Sequence, residues 1–164
     1  MSIGKYVFDR CTGLTSVTIG NNVKSIGGDA FDSCTGLTSV TIPDNVKSVG
    51  DWAFRGCTGL KSVTLGKKVR LIGTSAFSDC IGLTSITIPD SVTSISWYAF
   101  SGCTGLTSAT LGKKVKSIGD LAFRDCTNLV SVVLPHSLAS LSQSSLLFKG
   151  CTSLTSLTYT GTKE

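Results

Sequence analysis

Residues 37–57 read Leu37-Thr-Ser-Val-Thr-Ile-Pro-Asp-Asn-Val-Lys-Ser-Val-Gly-Asp-Trp-Ala-Phe-Arg-Gly-Cys57, and the period of their apolar positions changes along the way. Ser39 to Ile42 alternates polar and apolar, the period of a strand with one buried face. Pro43 closes that strand, because proline has no N–H to give to a ladder. Val46 and Val49 are spaced for a tight turn or a short second strand. Gly50 marks a position expected to need unusual backbone angles. Ala53, Phe54 and Cys57 have helical spacing over about two turns, which predicts a short 3₁₀ or α turn.

The same unit recurs along the chain. The seven cysteines, Cys11, Cys34, Cys57, Cys80, Cys103, Cys126 and Cys151, are 23 residues apart except for a last step of 25. All seven phenylalanines, Phe8 to Phe148, precede them by three, and leucines from Leu14 to Leu154 follow by three. An internal repeat of this length predicts a solenoid with one coil per repeat. The last unit gains two residues between Leu141 and Leu147, where a bulge is expected. The residue after each strand alternates, Gly20, Pro43, Gly66, Pro89, Gly112, Pro135, so the duplicated block is 46 residues long.

The pattern L-x-x-V-x-I-P-x-x-V-x-x-I-G-x-x-A-F-x-x-C resembles the BspA-type leucine-rich repeat over essentially the whole chain. The resemblance implies an α/β, β-dominated solenoid: a horseshoe of right-handed coils, seven repeats, each with one parallel strand and a short helical turn. It also implies a secreted or cell-surface protein that adheres to, or binds, proteins or glycans. Residues 1–164 are expected to form a single domain without recognisable caps. Ser2-Ile3-Gly4 aligns with Ser25-Ile26-Gly27, and Glu164 falls on the position of Lys24, so head and tail share one phase. That fits a segment of a longer array, or subunits stacking head to tail into a filament.

Stacking turns each sequence position into a row, with about 4.8 Å between neighbours. The Phe and Cys rows are expected in the core, with free thiols: cysteines in register are spaced too widely for a disulfide. Outward strand positions form a hydroxyl face of Ser39, Thr41, Ser62, Thr64, Ser85, Thr87, Ser108 and Thr110. Such a face suits a sheet turned to water, a glycan or, more distantly, ice. The row Asn21, Asp44, Lys67, Asp90, Lys113, His136 alternates acid and base, which predicts charge pairing between coils. Lys24, Lys47, Arg70 and Lys116 form a basic row with no acid in it, open to an anionic partner. Tyr6, Trp52 and Tyr98 recur on alternate coils with Trp97 beside them, and exposed rings in a line suit sugar or protein contacts.

Composition narrows the rest. Among 164 residues, 15 Lys+Arg against 10 Asp+Glu give a net charge of +5, too mild for a dedicated nucleic-acid binder. No apolar run reaches membrane-spanning length, and the first residues lack the apolar core of a signal peptide. His136, the one histidine, has no partners spaced for zinc, and no phosphate loop, carboxylate pair or nucleophile–base pair is present. No catalytic residue, metal ligand or cofactor is therefore assigned. The expected partner is a protein or glycan, or a second copy of the chain, without nucleic acid or membrane insertion.

Overall fold

A computed structural model describes residues 1–138 and 146–160. The chain winds into a parallel β-solenoid in which every repeat adds one coil to the stack. Each interior coil carries two strands. The short ones are β1 (Ser25–Ile26), β3 (Ser48–Val49), β5 (Leu71–Ile72), β7 (Ser94–Ile95) and β9 (Ser117–Ile118), and they form one five-stranded sheet. The long ones are β2 (Ser39–Thr41), β4 (Ser62–Thr64), β6 (Ser85–Thr87), β8 (Ser108–Thr110), β10 (Ser131–Leu134) and β11 (Ser156–Tyr159). β2 pairs with β4, and β6, β8, β10 and β11 form a separate four-stranded sheet. The register is the repeat itself: Ser39 lies opposite Ser62 and Ser85 opposite Ser108. Val49 thus lies on a true second strand that Val46 precedes, one of the two forms their spacing allowed.

No helix occurs among the described residues, and the arch around Phe54 and Cys57 is a run of tight turns. Its cause is backbone handedness. Tyr6, Asp29, Trp52, Ser75, Tyr98 and Leu121, two residues before the first six phenylalanines, have φ between 52° and 60°. Two residues after the phenylalanines, Arg10, Ser33, Gly56, Asp79, Gly102 and Asp125 also have positive φ. A left-handed residue every fourth position stops a helix before it completes a turn. Arch amides point to the next coil instead: Phe54 N–H donates to Ala76 O at 2.8 Å, and Phe77 N–H to Ala99 O at 2.8 Å.

Gly50 does not have the positive φ expected of it. It is needed for close approach, since a Cβ there would sit 2.7 Å from the Gly27 carbonyl carbon. The left-handed residue is Trp52.

The core is a set of continuous rows. Phe31, Phe54, Phe77, Phe100 and Phe123 are wholly buried and stack with centroids 5.0–5.5 Å apart and planes within 10°. Rings related by near-translation report the coil step where they sit, and it exceeds the ~4.8 Å of paired strands. The coils therefore splay on the phenylalanine side. Each cysteine from Cys34 onward donates its S–H to the carbonyl of a phenylalanine one coil back, as Cys57 does to Phe31 O at 3.1 Å and Cys103 to Phe77 O at 3.1 Å. The cysteines are free, but burial ends with the interior coils: Cys11 is exposed, and Cys151, Phe8 and Phe148 are partly covered. The terminal coils have a neighbour on one side only. The bend expected between Leu141 and Leu147 lies outside the described residues, as do Ala139 and Glu164.

One buried charge is matched. Asp32, 3% exposed, receives both arms of the Arg55 guanidinium at 2.8 and 2.9 Å from the next coil. Asp44 and Asp90 correct the expected charge pairing. Asp44 Oδ1 accepts the backbone N–H of Lys67 at 2.9 Å, and Asp90 Oδ1 that of Lys113 at 2.8 Å. The carboxylates cap the turn of the following coil and leave its ammonium groups aside.

Burial pushes the Cys57 and Cys103 thiols up to about 12, and raises Cys80 as well. A folded-state value above the unfolded one holds stability below the unfolded pKa of about 9 and loses it as pH rises toward 12. Native thiol titration should show fast reaction of Cys11, slower reaction of Cys151, and none of Cys57, Cys80 and Cys103. Urea midpoints should fall above pH 9 and stay flat between pH 7 and 8.5. Phe77→Ala should cost about 3–5 kcal/mol in the same unfolding assay.

Candidate functional site

Three surfaces follow from the rows, and the short-strand sheet has the most relief. Its strands are two residues wide, so the rows on either side of it come close together. Along one margin run the left-handed residues. Tyr6 and Trp52 line a groove of about 370 Å³ over Ser25, Gly27, Ser48 and Gly50, with Leu71 at its end. Further along the same sheet, Trp97 lines a second stretch of about 480 Å³ over Ser94, Ser96 and Ser117. Tyr6 and Trp97 are each 62% exposed and Trp52 is 39% exposed. Tyr98 is half-buried and lines neither stretch.

Glycines beside the short strands allow close approach, of the Trp97 ring at Gly119 and of the neighbouring coil at Gly73. A Cβ on Gly119 would collide with the Trp97 ring, and one on Gly73 would meet the Gly50 backbone at 2.6 Å. Asp29 sits between Tyr6 and Trp52 in the groove wall. Burial, reinforced by the neighbouring Asp32 carboxylate, holds its carboxyl above the usual range. The sequence left this segment as a tight turn or a short second strand and did not single out the Ser25, Ser48, Ser94 and Ser117 hydroxyls of the floor, whose signal was the Ser-Ile-Gly and Ser-Val-Gly triplet in most units.

The hydroxyl face is placed as the alternation predicts: Ser39, Thr41, Ser62, Thr64, Ser85, Thr87 and Thr110 are exposed, and Ser108 half-buried. Shallow depressions of about 360 and 320 Å³ lie at Ser39–Thr41 and around Thr64 and Thr87. Pairing is interrupted between β4 and β6, and the Thr84 N–H to Lys61 O distance there reaches 3.5 Å. The ladder is two runs, not one continuous lattice.

The basic row is held by backbone bonds. Lys47 N–H donates to Lys24 O, Arg70 N–H to Lys47 O and Lys116 N–H to Thr93 O, at 2.8–2.9 Å. All four cations of the row are exposed.

Among the described residues no group of three or more His, Cys, Asp or Glu side chains could hold a metal ion. No helix of the described residues is long and apolar enough to cross a membrane.

The family model for the BspA type leucine rich repeat region matches residues 1–103 and 54–164, in six copies. The chain belongs to the BspA-type leucine-rich repeat family. Of the solved structures, the leucine-rich repeat protein TpLRR of T. pallidum is 38% identical with a TM-score of 0.80, covering 83% of this chain and 63% of its own. A leucine-rich repeat protein of Bacteroides ovatus is 37% identical with a TM-score of 0.76, covering 88% of this chain and 38% of its own. The pneumococcal vaccine antigen PcpA shares the fold at 18% identity and a TM-score of 0.67, covering 88% of this chain and 41% of its own. This chain therefore spans less than two thirds of the length of these relatives. No match was found among curated protein sequences. BspA-type repeat proteins are typically surface-associated and non-enzymatic, and leucine-rich repeat proteins generally bind other proteins.

Left-handed backbone costs a side-chain-bearing residue about 1–2 kcal/mol. Ser75, in the same row with φ of 52°, has a short side chain with few contacts to lose. Ser75→Gly should raise stability by up to about 1 kcal/mol, and Ser75→Val should lower it by at least that much, read by thermal and urea unfolding.

Proposed function

We propose that this chain is a non-enzymatic recognition scaffold that takes a protein or glycan partner along the groove of the short-strand sheet. Tyr6, Trp52 and Trp97 supply the apolar contact, and the serine floor supplies hydrogen bonds. The observation that carries this reading is the exposure of the aromatic wall: Tyr6, Trp52 and Trp97 lie at the surface along the groove rather than packed into the core. Rigid aromatic rings give large contact area at small entropic cost and dominate interface energies. A surface location, as is typical of the family, suits such a role.

The hydroxyl face supports a second reading, contact with a repetitive polar polymer, through its two depressions. The break between β4 and β6 disfavours ice, which needs one unbroken lattice. Head-to-tail stacking into a filament would use the terminal coils, whose phases match.

The joint change Tyr6→Ala, Trp52→Ala, Trp97→Ala should weaken binding to partners found on glycan and protein arrays by at least ~2 kcal/mol. The circular dichroism spectrum should not change. Undiminished binding by the triple variant would move the site to the hydroxyl sheet.

A further inference from the structure

The other margin of the short-strand sheet carries charge. Lys47 and Arg70 immediately precede β3 and β5, and the corner before them carries Lys67 and Lys68. These four side chains and Lys114, two coils on, line a depression of about 320 Å³. That concentrates a third of the chain's 15 Lys+Arg residues around one concavity, with no carboxylate in its wall.

The nearby acids are otherwise engaged. Asp44 and Asp90 spend an oxygen each on the backbone N–H of Lys67 and Lys113. Lys68 Nζ donates to Asn45 Oδ1 at 2.9 Å, a neutral partner that leaves its charge uncompensated. The backbone ladder fixes the Lys47 and Arg70 backbones on adjacent coils, so their side chains leave the stack one coil step apart.

We propose that this corner is a second binding site, separate from the aromatic groove, for a linear sulfated polysaccharide laid along the solenoid axis. Lys47 and Arg70 lie one coil step of about 4.8 Å apart and Lys68 and Lys114 two, spacings that match a polymer whose charges recur with each sugar or two. A concave, like-charged wall focuses the field on an incoming anion. The Arg70 guanidinium can grip two oxygens of one sulfate, and the lysines act as point charges. No aromatic ring lines the depression, so it lacks the stacking platform that single-stranded nucleic acid binders use.

The test uses fluorescently labelled heparin oligosaccharide, read by anisotropy across a salt series. The unaltered chain should bind it, with affinity falling steeply as salt rises. Lys67→Glu/Lys68→Glu should weaken binding at least tenfold. Lys61→Glu/Lys149→Glu, which changes net charge equally elsewhere, should change it less than threefold. Trp52→Ala should leave it unchanged, which separates this site from the groove. Three results overturn the proposal: no binding at low salt, equal losses from the two charge-reversed pairs, or equal affinity for inorganic polyphosphate or single-stranded DNA. The last would mean attraction to charge alone.

Discussion

A coil in this stack satisfies its backbone through its neighbours. Ile42 N–H reaches Thr64 O on the long strand, Lys47 N–H reaches Lys24 O at the corner, and Phe54 N–H reaches Ala76 O in the arch. Buried amides left unpaired are costly, so each must find a carbonyl about one repeat away in sequence. That requirement fixes the coil length. With the length fixed, like residues fall on like residues, and the phenylalanine stack and the thiol–carbonyl contacts follow. It also makes the fold non-local, since no single coil can bury its own apolar face.

The same constraint explains what the sequence made legible. Val40 and Ile42 announce a half-buried strand by alternation, and the Phe and Cys rows announce the core by recurring in register. The arch was harder, because Ala53, Phe54 and Cys57 have one spacing whether they lie on a helix or on linked turns. Backbone sign decides between the two. It is written in Gly56, Gly102 and Gly150 but hidden where Trp52, Tyr98 or Leu121 holds a left-handed position. Asp44 was misread because a charge pattern shows where carboxylates stand and not which donor they meet. Cys11 escaped burial because a row-by-row reading treats end coils like interior ones.

The surfaces are legible to different depths. The hydroxyl face follows from alternation alone. The aromatic row was visible as a row, but the groove needs the short-strand sheet, the glycine floor and the placement of Trp97 one residue off the line of Trp52. Lys67, Lys68 and Lys114 belong to other rows than Lys47 and Arg70, and only the fold of the corner brings them around one depression. The short-strand sheet thus has cations along one margin and aromatic rings along the other. Neither margin can shift relative to the other, because both are written into the same coils. A scaffold of this kind adapts its binding by changing exposed residues within a row while the core rows stay in register.

The most direct test of this account is a through-hydrogen-bond scalar coupling experiment on the isotope-labelled chain. The ladder predicts a coupling from the Phe54 nitrogen to the Ala76 carbonyl carbon, repeated from Phe77 to Ala99 and from Phe100 to Ala122. Couplings from these nitrogens to carbonyls three or four residues earlier in their own coil would mean a helical arch, and would contradict the inter-coil ladder on which the account rests.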